Sequence, residues 1–295
     1  MSLLVIGACN IDIIGKSHKK LINSESNIGE VSISLGGVAK NIANNLYNLG
    51  ADVSFLTLLG SDNFADMQRS ELDKIGIDYH NSLERDVTSS TYLAVHDFNA
   101  DLNVGINDMK NIEALTQKDF YELDSVIESF DTLVFDTNLS EETLIYLIDK
   151  YKHKTIYVDG VSQSKVVRVA KVIKHIDLLK INQYELNSIL KIDNCDIITG
   201  VKQLLNLGLK SCIVSHSDEP ITYNIEDDIY QSDIHEIKNI LSTMGAGDAL
   251  FSGTIYYLAK GRNMHDAVNF GKIVADKTLE VCEACNEDIK KLINL

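Results

Sequence analysis

"STMGAGDALFSG", Ser242–Gly253, sets Gly245, Ala246, Gly247 and Asp248 directly before an apolar pattern of helical period. Leu250, Phe251, Ile255 and Leu258 recur at the spacing of one helix face. Without Cβ atoms, Gly245 and Gly247 let the backbone turn tightly and let a ligand approach. The free N–H groups of the first helical turn and the positive end of the helix dipole then make an anion site. Asp248 has two readings. It is a cap for the helix, or it accepts a proton from an attacking hydroxyl while the N–H groups hold a transferring phosphoryl.

Outward from this turn, short apolar runs alternate with helical periods. Leu3–Ala8, Val53–Gly60, Thr132–Asp136, Thr155–Asp159, Asp177–Asn182 and Ser211–Ser215 read as buried strands. Between them, Val38, Ile42, Leu46 and Leu49 fall on one helical stripe, which Gly50 closes. This βαβα rhythm predicts an α/β fold, a mostly parallel central sheet flanked by helices. Two segments break the rhythm. In Glu30–Gly37, Val31, Ile33 and Leu35 alternate with serines, the pattern of a half-buried strand. Ser90–Asp108 reads as two strands around an Asn99-Ala100-Asp101 turn. Both are expected as antiparallel insertions, at about 13–35 and 88–108, that form a small β-sheet lid on one domain spanning 1–295. A merely decorative edge hairpin is the other reading. Open lid edges also invite a homodimer.

The bulk composition excludes several classes. The 295 residues carry a formal charge of −16, which argues against a nucleic-acid backbone as partner. No apolar run reaches the roughly 20 residues needed to span a bilayer. The N-terminus opens into a strand-like run without a basic region before it, so a cytoplasmic protein is expected. No G-x-G-x-x-G follows the first strand, which sets a dinucleotide-dependent oxidoreductase aside. The five cysteines suit reduced thiols. Cys282 and Cys285 have a metal-like gap, but no second pair or His cluster accompanies them.

Three further groups are candidates for chemistry. Gly36 and Gly37 again precede a helix, whose first turns carry Lys40, Asn41, Asn44 and Asn45. Their amides suit a polyol, or they form the polar face of an ordinary helix start. Asn10 and Asp12 follow the first strand, at the end where open α/β sheets bind ligands, although both are also turn residues. Asn182 and Glu185 follow the Asp177–Asn182 strand. Glu185 could order Mg²⁺ through water, or sit in a first helical turn for the dipole alone.

Taken together, the N-x-D after the first strand, the GG-x-x-x-N helix start, the N-x-x-E and the late GAGD resemble the PfkB (ribokinase-like) family of sugar and nucleoside kinases, across nearly the whole chain. The resemblance implies a ribokinase-like fold, ATP and Mg²⁺, transfer to a primary hydroxyl, and in many relatives activation by K⁺. It implies Asp248 as catalytic base and Gly245, Ala246 and Gly247 as the anion hole. Asn10, Asp12, Gly36, Gly37, Lys40 and Asn41 would serve the sugar. Asn182, Glu185, Ser215 and Thr243 would serve the nucleotide, with Glu185 reaching the metal through water. The hairpin looks like that of the pseudouridine kinases, with Thr91, Asn107, Asp108 and Met109 as the residues that carry the likeness. Pseudouridine is the implied acceptor and its 5′-hydroxyl the implied site. Another sugar or nucleoside kinase of the family remains an alternative.

One turn departs from the family pattern. Where a G-x-x-G is usual near the phosphates, this chain has His216 and Glu219, with Asp218 and Pro220 in the same turn. Side chains there imply steric and like-charge penalties on ATP. This keeps open a non-catalytic nucleoside sensor with a degenerate ATP site.

Overall fold

The computed structural model describes residues 1–99, 102–237 and 239–294. The chain starts with β1 (Leu3–Ile6), β2 (Asn10–Ser17), β3 (Gly29–Gly36), α1 (Val38–Asn48), β4 (Val53–Leu56), β5 (Leu58–Leu59) and α2 (Asn63–Ile75). It continues through β6 (Leu83–Glu84), β7 (Thr91–His96), β8 (Leu102–Asp108), α3 (Lys110–Glu113), α4 (Asp124–Glu128), β9 (Thr132–Asp136) and α5 (Glu141–Lys150). Next come β10 (Thr155–Asp159), α6 (Gln163–Val166), β11 (Leu178–Asn182), α7 (Gln183–Leu190), α8 (Ile197–Asn206) and β12 (Cys212–Ser215). The hairpin β13 (Ile221–Ile225) and β14 (Asp228–Ser232) precedes α9 (Ala246–Ala259) and α10 (Met264–Leu279).

The large sheet has the order β14-β13-β12-β11-β10-β9-β1-β4. Its six strands from β12 to β4 are parallel. All six runs expected as buried strands contribute to this parallel part. The pleat sends alternate side chains to opposite faces, so Leu3 and Val5 join one apolar cluster and Leu4 and Ile6 the other. Ile42 and Leu46 of α1 and Phe251 and Ile255 of α9 cover the first face. Leu144 and Leu147 of α5 and Leu186 of α7 cover the second. Among the described residues, no helix is long and apolar enough to cross a membrane.

Two expectations need correction, and one hairpin was not foreseen. Val53–Gly60 is not one strand: pairing with β1 ends at Leu56, because β1 ends at Ile6, and Leu58–Leu59 then pairs with β6. The hairpin β13–β14 was not foreseen because its turn carries no Gly or Asn; Glu226 takes the left-handed conformation there instead (φ 52). The small sheet, of order β3-β2-β7-β8, is mixed rather than antiparallel, since β2 and β7 run parallel. Ala100 and Asp101 of the expected Asn99-Ala100-Asp101 turn lie outside the described residues.

Register gives the small sheet two unlike faces. Ser34, Asp12, Tyr92 and Asn107 stand in one row across all four strands. On the opposite face, Ile33, Ile13, Leu93 and Ile106 form a row, and Val31, Val95 and Val104 lie beside it. Val31 and Ile33 are exposed rather than half-buried, on β3 at the edge of this sheet.

Candidate active site

The candidate residues gather at the carboxyl ends of the parallel strands, where the strand order reverses around β1, as open α/β sheets favour. Asp136, Asp159 and Lys180 stand at or near the ends of β9, β10 and β11, in register across three neighbouring strands. Across from them α9 begins.

The turn before α9 has a physical reason for its glycines. Gly245 is the residue that caps α9 and sits at φ 75; a Cβ there would lie 2.0 Å from the Ala284 carbonyl oxygen. The Cys282–Cys285 segment therefore backs this turn. Cys285 also donates its S–H toward the Asn41 carbonyl and side-chain oxygens, 3.7 Å each, and burial pushes its thiol up to about 11. Cys282 is exposed, and no group of three or more potential metal ligands occurs among the described residues.

Asp248 does not cap its helix. Its carboxylate accepts a 2.8 Å hydrogen bond from Asn41 Nδ2 of α1, a residue 207 positions away. Burial pushes the Asp248 carboxyl up to about 7, and the charge of Asp159 adds to this, while Lys180, Asn41 and Lys40 pull it back. A carboxylate poised near neutrality suits general-base chemistry. Lys180 was missed in the sequence because a lysine in an apolar strand has no local signature. It pairs with Asp159 at 3.0 Å, and a Cβ on Gly247 would come within 2.7 Å of its Nζ. The ammonium thus lies against the backbone of the turn before α9. The carboxylates of Asp159, Glu185 and Asp248 hold its pKa well above the ordinary lysine range, against desolvation.

Gly37 takes φ 109 at the start of α1, where a Cβ would clash with the Ala8 carbonyl at 2.4 Å. Gly36 faces Asp12: a Cβ there would land 2.2 Å from its carboxylate. Asn10 Nδ2 donates to Asp12 Oδ1 at 2.6 Å. Lys40 is buried, and its charge pulls down both Asp12 and Asp248, whose carboxyls burial pushes up. Asn10, Asp12, Gly36, Gly37, Lys40, Asn41 and Asp248 therefore form one connected cluster. Asn107 lies on the same face of the small sheet as Asp12, with Tyr92 between them. Thr91 and Asp108 stand on the opposite face beside Ile11, and the Asp108 carboxylate accepts from the Lys110 backbone N–H at 3.5 Å.

Asn182 and Glu185 bind each other in a reciprocal capping box at the start of α7. Glu185 stays buried next to Lys180, and burial pushes its carboxyl up. Asp159 Oδ2, buried without a hydrogen-bond donor, meets Lys180 only as an ion pair. Oxygens of this hard type fit Mg²⁺ held through water. Beside α9 a cavity of about 720 Å³ is lined by Ser215 and Thr243, by Ala246 and Gly247, and by apolar residues such as Ile240 and Leu279. The 216–219 turn closes with a Glu219 N–H to His216 carbonyl bond of 2.9 Å. The His216 ring packs edge-on against Tyr184, and only Ser217 and Asp218 of the turn line the cavity. The His216 and Glu219 side chains thus do not line this cavity, whereas Asp218 does.

The fold is ribokinase-like: ribokinase from Arabidopsis thaliana, solved in complex with ribose and ATP, superposes with a TM-score of 0.84 at 16% identity, covering 100% of this chain and 99% of that one. The chain belongs to the pfkB family, the description "pfkB family carbohydrate kinase" matching it over residues 1–291. It is a phosphotransferase with an alcohol group as acceptor. Among its relatives is a pseudouridine kinase from Escherichia coli (strain K12), 29% identical over 305 residues and covering 99% of this chain and 95% of that one. A guanosine-inosine kinase from Exiguobacterium acetylicum is 27% identical over 293 residues, covering 95% of each.

Proposed function

We propose that residues 1–295 act as one kinase domain that transfers the γ-phosphoryl of ATP to the 5′-hydroxyl of a C-linked nucleoside, pseudouridine. The observation that carries the kinase chemistry is the buried Asp248, held by Asn41 at the start of α9 and set beside Lys180. In this reading, Asn10, Asp12 and Asn41 hold the sugar hydroxyls. Asp248 accepts the 5′-hydroxyl proton as the oxygen attacks the γ-phosphorus and the bond to the departing ADP oxygen breaks. The backbone N–H groups of Gly245–Gly247 and the Lys180 ammonium stabilise the charge on the transferring group. The nucleotide occupies the cavity beside α9, past Ser215 and Thr243. Mg²⁺, ordered through water by Asp159 and Glu185, would neutralise phosphate charge. The small sheet serves as a lid that excludes water.

The likeness to a pseudouridine kinase supports the acceptor, and so does the face of the lid that carries Asp12, Tyr92 and Asn107. An ATP-consumption assay with Mg²⁺ and K⁺, comparing pseudouridine, uridine, inosine, ribose and fructose, tests it. Turnover highest on pseudouridine is expected. Higher turnover on inosine would move the acceptor to a purine nucleoside, and binding of pseudouridine without any turnover would make the protein a sensor.

The exposed apolar face of the small sheet is the second element of the proposal. Ile33, Leu93, Ile106, Val31 and Val104 are all exposed in the single chain, and contiguous patches of this kind mark interaction sites. A second copy, sheet against sheet, would cover them. Light scattering is expected to show a dimer for the wild type and a monomer for Ile33→Lys; a monomeric wild type would remove the dimer.

A further inference from the structure

Lys165 of α6 is a buried ammonium that the phosphoryl-transfer chemistry does not use. Its Nζ donates to Asn138 Oδ1 at 2.6 Å and to Asn107 Oδ1 at 3.4 Å, and it makes no ion pair among the described residues. A lysine kept dry with only two amide acceptors is costly unless something else uses its charge. Two of its three N–H donors are taken; the third has no protein acceptor among the described residues. Desolvation holds its pKa below the ordinary lysine value, and the charge of Asp136 opposes this in part.

The surroundings fix where that donor stands. Arg168 Nη1 donates to the carbonyls of Thr137, Asn138 and Leu139, so the loop that presents Asn138 is clamped from below. Asn107, the other partner, shares its face of the small sheet with Tyr92 and Asp12. Asp12 and Asn107 are two strand spacings apart, about 10 Å. A ribose does not span that row and a nucleoside does. With a sugar on Asp12, an attached ring would lie along Tyr92 and its far edge would reach toward the Asn107–Lys165 pair.

We propose that Lys165 is a specificity residue that donates its free N–H to a ring carbonyl oxygen of the acceptor's base, so that the enzyme distinguishes a uracil-type nucleoside from a bare sugar. The inference rests on the nucleoside-kinase reading above. Asn138 holds the ammonium from one side and Asn107 of the small sheet from the other, which leaves one N–H for the base.

The test compares kcat and KM for pseudouridine and for ribose in the wild type, Lys165→Met and Lys165→Arg. Loss of one charge-assisted hydrogen bond is expected to raise KM for pseudouridine roughly 10- to 100-fold in Lys165→Met. KM for ribose and kcat on both acceptors are expected to change little, and Lys165→Arg to recover part of the loss. A rise in KM that is equal for both acceptors, or a fall in kcat alone, would show a structural role and overturn the proposal. Should Lys165→Met not fold, calorimetry on the wild type replaces it: pseudouridine is expected to bind at least tenfold tighter than an analogue whose ring lacks the carbonyl oxygens, and equal affinity overturns the proposal. The two readings fail separately. A wild type that does not prefer pseudouridine to ribose overturns both, whereas a preference that Lys165→Met leaves intact overturns only this one.

Discussion

Asp248→Asn is expected to lower kcat about 10³-fold with KM for the nucleoside within a few-fold of wild type, because a positioned general base contributes roughly 10²–10⁴. The amide keeps a contact to Asn41 but cannot take the proton. In the wild type, kcat/KM for the nucleoside is expected to rise as pH increases through about 7, where burial and Asp159 have pushed the Asp248 carboxyl. Stability is expected to move the other way. The folded-state value lies above the ordinary 3.8, so the folded chain holds a proton that the unfolded chain releases. That stabilisation is complete below about pH 4 and is lost as pH rises through 7. Asn does not titrate, so the melting temperature of Asp248→Asn relative to wild type is expected to be higher at pH 8 than at pH 4. Equal turnover by mutant and wild type would remove Asp248 as the base.

Asp136→Ala is expected to destabilise the fold by about 3–5 kcal/mol. The Asp136 carboxylate is fully buried and accepts four N–H donors: Ala8 and Ala39 at 3.1 Å each, Asn138 N at 3.0 Å and Asn138 Nδ2 at 2.8 Å. It therefore ties the loop after β1 to the first turn of α1 and to the loop that carries Asn138. Alanine leaves these buried donors without an acceptor, and each orphan carries a desolvation penalty of about 1–3 kcal/mol. The measurement is the denaturant midpoint at constant slope. A loss under about 1 kcal/mol would mean that water replaces the carboxylate. Because both tied segments flank Asn10 and Lys40, a weaker nucleoside KM is expected to accompany the loss.

Asp136 shows why part of the site was hidden. An aspartate at the end of a strand has no local signature, and its four donors come from three separate segments. Lys180 and Lys165 are alike in this respect: one was part of an apolar strand, the other part of a short helical turn with no motif. Glu185 was legible as a helix-start residue, and its reciprocal bond with Asn182 is the local geometry that Asn-x-x-Glu encodes. The GAGD turn was legible too, because Gly245 meets a local conformational demand. Its second reason, the Ala284 carbonyl pressed against it, was not.

By itself, then, the sequence determined what depends on chain neighbours: the six parallel strands through their apolar runs, the α1 stripe, the small-sheet segments, and the two glycine-led helix starts. Hydrophobic period and turn chemistry act over a few residues, so one chain suffices to show them. Only the tertiary structure decided which side chains meet. It joined Asn41 to Asp248, set Lys180 against Gly247, and put Asn107 on Lys165 while turning Asp108 to the other face. Those contacts follow from strand order and register, and a shift of one residue would send every side chain of a strand to the opposite face.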